Sequence, residues 1–294
     1  MTLPRVLFVT GKGGTGKSTV AAAIALALSR RRPTTLADLD RRMSAAAALG
    51  AMPTDSIAVK VTESLDVIAL TPRAELEAFI ERIVPIRAIS RRMLRSRTFG
   101  YVTAALPGLE AFLLLERLRI MAGDAALEDR YLVVDAPASG SAIELLSVSS
   151  GVKGIAPAGT LNRLADSIDS FLGDATRFGA VITTTPEDLA VREALETAAT
   201  IRERLGVVTV AAIVNCVPDL LFDTSELASL SPLGGHARLA VRRNCAHENA
   251  ALVAPRFADA GLSTINLPMM FTPAIGRDEL EKLGRVLDAT LLGR

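Results

Sequence analysis

Short apolar runs recur along the chain: Arg5–Val9, Thr34–Leu39, Leu65–Leu70, Tyr131–Val134, Ala180–Thr184, Val208–Asn215 and Ser263–Leu267. Each is rich in Val, Ile and Leu and nearly continuous, the pattern of a strand buried on both faces. Helical patterns fill most of the gaps: Lys17–Arg30, Arg73–Ile83, Leu109–Ala122, Asn162–Leu172, Pro186–Leu205, His236–Ala260 and Asp278–Leu291. Strands separated by helices predict an α/β fold. The sheet is mainly parallel and doubly wound, with about seven to eight strands covered on both sides. No repeat or low-complexity linker interrupts it, so residues 1–294 read as one domain.

One segment breaks the alternation. Residues 73–127 form a helical insertion between two strands. Arg82, Arg87, Arg91, Arg92, Arg95 and Arg97 crowd its middle, with no acid after Glu81. Leu109 to Leu118 then reads LEAFLLLERL, strongly apolar for a surface helix. Two readings stand side by side. Either a solvated arginine face covers a small helical core, or apolar helices rimmed by arginine form a surface for a partner or client.

The first apolar run leads into Gly11-Lys12-Gly13-Gly14-Thr15-Gly16-Lys17-Ser18-Thr19, and an alanine-rich helical pattern, Val20 to Leu28, follows. This is the phosphate-loop pattern G-x-x-x-x-G-K-[ST] in its required context of strand, glycine loop and helix. Glycines let backbone N–H groups curl around phosphate oxygens, and the helix N-terminus adds its positive end. Lys17 is placed to reach the β- and γ-phosphates of ATP, and the Ser18 hydroxyl to hold Mg²⁺. Lysine is scarce elsewhere. Only Lys12, Lys17, Lys60, Lys153 and Lys282 occur among 33 Lys+Arg. Two in one loop point to a use for compact ammonium groups, which fit between phosphate oxygens where a planar guanidinium does not.

A phosphate loop needs a carboxylate for Mg²⁺ at the end of a neighbouring strand, and Asp135 supplies it after Tyr131–Val134. The small-residue stretch Ala136–Ser141 that follows reads as a loop able to move with the γ-phosphate. Hydrolysis needs a group that orients water. Alternation puts Asp38 and Asp40 on the same face at the end of the second strand. One would face the water and the other the metal, so Asp38 is a further candidate for Mg²⁺. Asn215 closes a late strand with an amide suited to an adenine edge, although strand-end Asn is also a common turn residue.

Composition changes this picture little. Half of the residues are apolar, enough for a large core, and the formal net charge of +1 gives no reason to expect nucleic acid. Cys216 and Cys245 stand apart without a C-x-x-C, which excludes a zinc ribbon and suits a reducing cytoplasm. The N-terminus enters a strand directly, so no signal peptide is expected. No apolar run approaches the roughly 18 residues of a membrane span.

The stretch Gly11–Thr19, with its early Lys12, resembles the deviant phosphate loop of the SIMIBI ATPases, the class of ParA, MinD and the nitrogenase iron protein. Within that class the chain most resembles bacterial ArsA/Get-type ATPases. Asp135-Ala136-Pro137-Ala138-Ser139-Gly140-Ser141 and the following Leu145-Leu146 look like their D-A-P-A-T-G-H-x-x-x-L-L switch II. Thr183–Ala194 resembles their T-x-P-E-x-L-x-V-x-E-x motif. Leu106–Glu110 looks like the P-G-x-x-E that opens a late helix of the client subdomain, and Ile213-Val214-Asn215 matches their adenine-contacting Asn. Asp40-Arg41-Arg42-Met43-Ser44 stands where the family's switch I reads D-P-A-H-S, so the Pro and His are lost. Ser141 replaces the His of switch II.

The resemblance implies an ATP- and Mg²⁺-dependent ATPase that works as a dimer. Lys12 would cross to the partner's nucleotide, Asp40 would be the catalytic carboxylate, and Lys12 and Lys17 would neutralise the phosphates. The dimer is with a second copy or a paralogous ATPase, and a hydrophobic protein client or membrane partner is the expected cargo. The missing C-x-x-C argues against a zinc-stapled dimer, and two separated cysteines argue against an arsenite pump. The altered switches keep two alternatives open. One is a low-turnover regulatory subunit of an ATPase pair. The other is a ParA/MinD-like positioning ATPase.

Overall fold

The structure is a computed structural model and describes residues 3–40, 42–54, 56–83, 108–123, 129–155, 159–230 and 234–291. Its strands are β1 (Val6–Gly11), β2 (Thr34–Asp38), β3 (Val59–Lys60), β4 (Leu65–Ala69), β5 (Tyr131–Ala138), β6 (Phe178–Thr184), β7 (Thr209–Val217) and β8 (Thr264–Pro268). They form one sheet in the order β3-β4-β2-β5-β1-β6-β7-β8. All neighbours are parallel except the edge pair β3–β4. The chain winds to one side of β1 and then to the other. The carboxyl end of β1 is therefore the switch point where open α/β sheets bind ligands.

Strand geometry sends alternate side chains to opposite faces, and β1 feeds two cores. Leu7 and Val9 pack with α1 (Lys17–Ser29), α2 (Ser44–Ala48) and, through Leu280, Leu283 and Leu287, α11 (Arg277–Leu291). Val6 and Phe8 face the other core. That core holds residues of α3 (Pro72–Ile83), α4 (Leu109–Gly123), α5 (Ser139–Ile155), α6 (Thr160–Leu172), α7 (Asp188–Leu205) and α10 (Val253–Asp259). Helix α1 is buried from Val20 to Leu28. Its alanines admit close approach by α11, where a Cβ on Gly284 would lie 3.3 Å from the Ala23 carbonyl oxygen. Among the described residues no helix is long and apolar enough to cross a membrane.

Several elements depart from the sequence reading. The small-residue stretch after Asp135 is not a loop: β5 continues to Ala138 and α5 begins at Ser139. Serines and glycines of low helix propensity hide this helix. Ala142, Leu145, Leu146, Ser149 and Val152 nevertheless recur at helical spacing and are buried. The pattern 236–260 divides into α9 (Gly235–Ala251) and α10, and α8 (Thr224–Leu230), α2 and β3 are too short to leave a periodic signal.

At α4 the apolar stretch of the insertion packs inward, as the helical-core reading expects. Phe112, Leu113, Leu114, Leu115 and Leu118 of α4 are buried core, not an exposed client surface. Carboxylates buried with them are matched. Glu116 accepts both Arg119 Nε at 2.6 Å and Arg119 Nη2 at 2.7 Å, and Glu75 of α3 accepts the Ser56 hydroxyl at 2.9 Å. Arg87, Arg91, Arg92, Arg95 and Arg97 of the arginine cluster lie outside the described residues.

Candidate functional site

The phosphate loop is fixed from below by two contacts that only glycine allows. Gly11 pairs with Thr183 of β6, and a Cβ on it would sit 2.0 Å from the Thr183 carbonyl oxygen. Gly16 has φ of 84°, in the region that favours glycine, and a Cβ there would meet Asn215 Nδ2 at 2.2 Å. Helix α1 starts at Lys17 with no side-chain cap, so its first-turn N–H groups face the loop as an anion site. Lys17 Nζ donates to the Lys12 carbonyl at 3.2 Å, and Thr15 Oγ1 donates to the same oxygen at 2.9 Å. Gly13 and Gly14 are exposed at the tip.

Around this loop the sheet brings three carboxylates together. Asp135 lies in register with Val9 of β1 and with Asp38 of β2. It is 1% exposed, and neither of its side-chain oxygens has a hydrogen-bond partner. Burial pushes its carboxyl up to about 7. The Ser18 hydroxyl and the Lys17 ammonium oppose that shift, while Asp38 and Asp40 reinforce it. A buried carboxylate with both oxygens open, beside a serine hydroxyl, is an incomplete set of hard oxygen ligands. That suits Mg²⁺, which takes few protein ligands and completes its shell with water and phosphate. Ser18 and Asp135 would hold the ion, which would neutralise charge developing on the phosphates.

The sequence places Asp38 and Asp40 on one strand face, but the strand ends at Asp38 and their tasks separate. Asp38 is buried, and its two oxygens accept the backbone N–H groups of Asp40 at 2.9 Å and Ala46 at 3.0 Å. Burial raises its carboxyl, opposed by those bonds. It therefore ties the start of the switch I segment to α2. Asp40 is half-buried beyond the strand. It accepts the Arg42 N–H at 3.2 Å and the Ser44 hydroxyl at 2.9 Å. Met43, at φ of 50°, turns the chain between them.

Asn215 is 5% exposed, and its Nδ2 donates to the Thr15 carbonyl at 3.0 Å. Here its amide braces the phosphate loop against β7. Asn215→Ala is expected to lower unfolding stability by about 1–3 kcal/mol, the cost of stranding a buried partner, and to weaken nucleotide affinity; urea unfolding and ATP titration check this. One residue further, Cys216 (φ of 57°) faces a cavity of about 800 Å³ over the ends of β6, β7 and β8. Pro186, Pro218, Arg243 and Met269 also line it, and the Arg243 guanidinium lies over the Phe271 ring at 4.6 Å.

One residue to which the sequence reading gave no role also meets the loop. Glu193 of α7 pairs with Lys12, its Oε2 lying 3.0 Å from Nζ, and accepts the Ser139 hydroxyl at 2.7 Å. Glu193 lies inside the T-x-P-E-x-L-x-V-x-E-x resemblance. No spacing signal joins it to a loop so distant in the chain.

The model of the anion-transporting ATPase family matches residues 4–155, more than half of the chain. The chain belongs to the anion-transporting ATPase family. The matched part of this family member carries the phosphate loop, the switch I segment, Asp135 and α5, so the ArsA-type resemblance and the P-loop fold both hold. It is similar to ATPase BagA of Mycobacterium tuberculosis, and to a protein of Mycobacterium bovis likewise named as an ATPase. Each is 28% identical over 202 residues, which cover 65% of this chain and 59% of the relative.

Proposed function

We propose that this chain is a Mg²⁺-dependent ATPase that acts as a nucleotide-driven dimeric switch. The observation that carries the reading is Asp135, a buried carboxylate with no partner, held beside Ser18 at the mouth of a phosphate loop. Lys17, Gly13, Gly14, Gly16 and the first turn of α1 take the phosphates. Ser18 and Asp135 take Mg²⁺, and Asp40 orients the attacking water. The cavity beside Asn215 takes the base. Lys12 completes the site of a second subunit, either another copy or a paralogue. A change of the segment 40–50 on meeting the γ-phosphate would carry the state of the site to a client or partner.

The test is direct. Phosphate release and ATP binding are measured on purified protein, with sedimentation to read dimer formation. Expected are turnover that stops when EDTA removes Mg²⁺, and a dimer that forms with ATP and dissolves with ADP. A second reading, a subunit that binds nucleotide and turns it over slowly, is favoured by Asp40 itself, whose oxygens are engaged by Arg42 N–H and Ser44. Tight binding without turnover until a second ATPase is added would select it.

A further inference from the structure

Lys12 does not project freely from its loop. Its ammonium is held by Glu193, whose other oxygen is held by Ser139, the first residue of α5. Three parts of the site converge here: the phosphate loop, the segment directly after the Asp135 strand, and α7. Glu193 stays ionised, because the Ser139 hydroxyl and then the Lys12 ammonium hold its carboxyl below the usual range. We propose that Glu193 is a positioning residue that keeps Lys12 docked on its own subunit until a nucleotide-loaded partner competes for it. The inference rests on the reading of Lys12 as the lysine that completes a partner's site.

The strength of the contact suits that task. The side chains of Lys12 and Glu193 are 42% and 36% exposed, and a pair so wet is worth little. The triphosphate of a bound ATP, carrying several negative charges, outbids a single exposed carboxylate for an ammonium group. A buried pair would lock the lysine, and an absent one would leave it to sample many rotamers. Ser139 adds a second input. Motion of the start of α5 alters one of the two bonds that aim Glu193, so the grip on Lys12 follows the Asp135 strand.

Dimerisation of the full chain in saturating ATP, measured by sedimentation equilibrium, tests this. Glu193→Gln keeps the shape and the bond from Ser139 while losing the charge pair. It is expected to tighten the ATP dimer roughly two- to five-fold per released lysine at low salt, the range of an exposed pair. The gain should vanish in 1 M salt. Ser139→Ala is expected to move the dimer in the same direction by less, and it serves if Glu193→Gln folds poorly. In a Lys12→Ala background the Glu193→Gln gain should disappear, as a double-mutant cycle requires when one residue acts through another. A gain that persists without Lys12 makes Glu193 a general repulsive charge and overturns the assignment. So does an ATP dimer that Glu193→Gln leaves unchanged or weakens, while the wild-type protein dimerises normally. If neither protein dimerises with ATP, the dimeric reading fails together with it.

Discussion

Asp135→Asn is expected to yield a protein that is more stable than the parent without nucleotide, and that has lost Mg²⁺-dependent turnover. Both effects come from one buried carboxyl group. Its pKa stands at about 7 against an ordinary 3.8, chiefly because burial penalises the charge. The unfolded chain ionises the group near pH 4, while the folded chain must keep its proton or bury a charge. Stability linked to this group is therefore fully present below pH 4 and lost as the pH rises to 7. Above that the parent carries a deficit on the order of 4 kcal/mol, the shift converted at 1.36 kcal/mol per unit. Asparagine does not titrate. Urea unfolding should show the two proteins close together at pH 4 and the variant clearly ahead at pH 8. Mg²⁺ with ATP should stabilise the parent far more than the variant, since the cation supplies the partner that both oxygens lack. Turnover should fall by about 10²-fold or more, because each 1.36 kcal/mol of lost charge stabilisation is tenfold in rate. A parent whose stability does not fall between pH 4 and 8 would show that water or a cation already satisfies Asp135.

The local half of this candidate site is easier to read in the sequence than its long-range contacts. Gly11 to Ser18 is legible because phosphate binding demands a local pattern: glycines for the turn, lysine and serine at fixed offsets, apolar runs on either side. Asp135 is legible because a strand that ends in Asp is also local. What escapes is whatever depends on distant partners. Asp38 and Asp40 look equivalent by alternation, yet the chain leaves the strand after Asp38, which spends both oxygens on backbone N–H groups. Asn215 is visible as a strand-end amide, but its bond to Thr15 follows from a positive φ at Gly16 that leaves room for it. Glu193 falls inside a motif resemblance, but nothing in its spacing joins it to Lys12. An apolar stretch such as Leu109–Leu118 cannot be told from an exposed patch without its neighbours, since its packing against α5 and α6 is a long-range contact. The family match reinforces the local half, since it ends at residue 155, before Asn215 and Glu193 are reached.

Asp40→Asn separates binding from chemistry. The substitution leaves Lys17, Ser18 and Asp135 in place, so ATP affinity should stay within a few-fold of the parent. It also preserves one oxygen to accept the Ser44 hydroxyl or the Arg42 N–H, so the turn before α2 keeps part of its bonding. What it removes is the negative charge at the half-buried Asp40, whereas Asp38 is buried and committed to the N–H groups of Asp40 and Ala46. Loss of a group that orients or deprotonates the attacking water costs roughly 10²–10⁴-fold. Phosphate release should fall by that factor while the ATP-bound dimer accumulates, visible as a species that no longer decays to the ADP form. The outcome also ranks the two carboxylates by physical logic. Asp38 is dry and bonded through both oxygens, so its replacement should first unfasten α2 and show as lost stability. Asp40 is wet at its edge and answers to Ser44 alone among the hydroxyls around it, so its replacement should first show as lost rate. Retained phosphate release in Asp40→Asn would move the water-orienting role away from switch I, and the two lost positions at Arg41–Met43 would then mark a chain that hydrolyses ATP by its phosphate loop and metal alone.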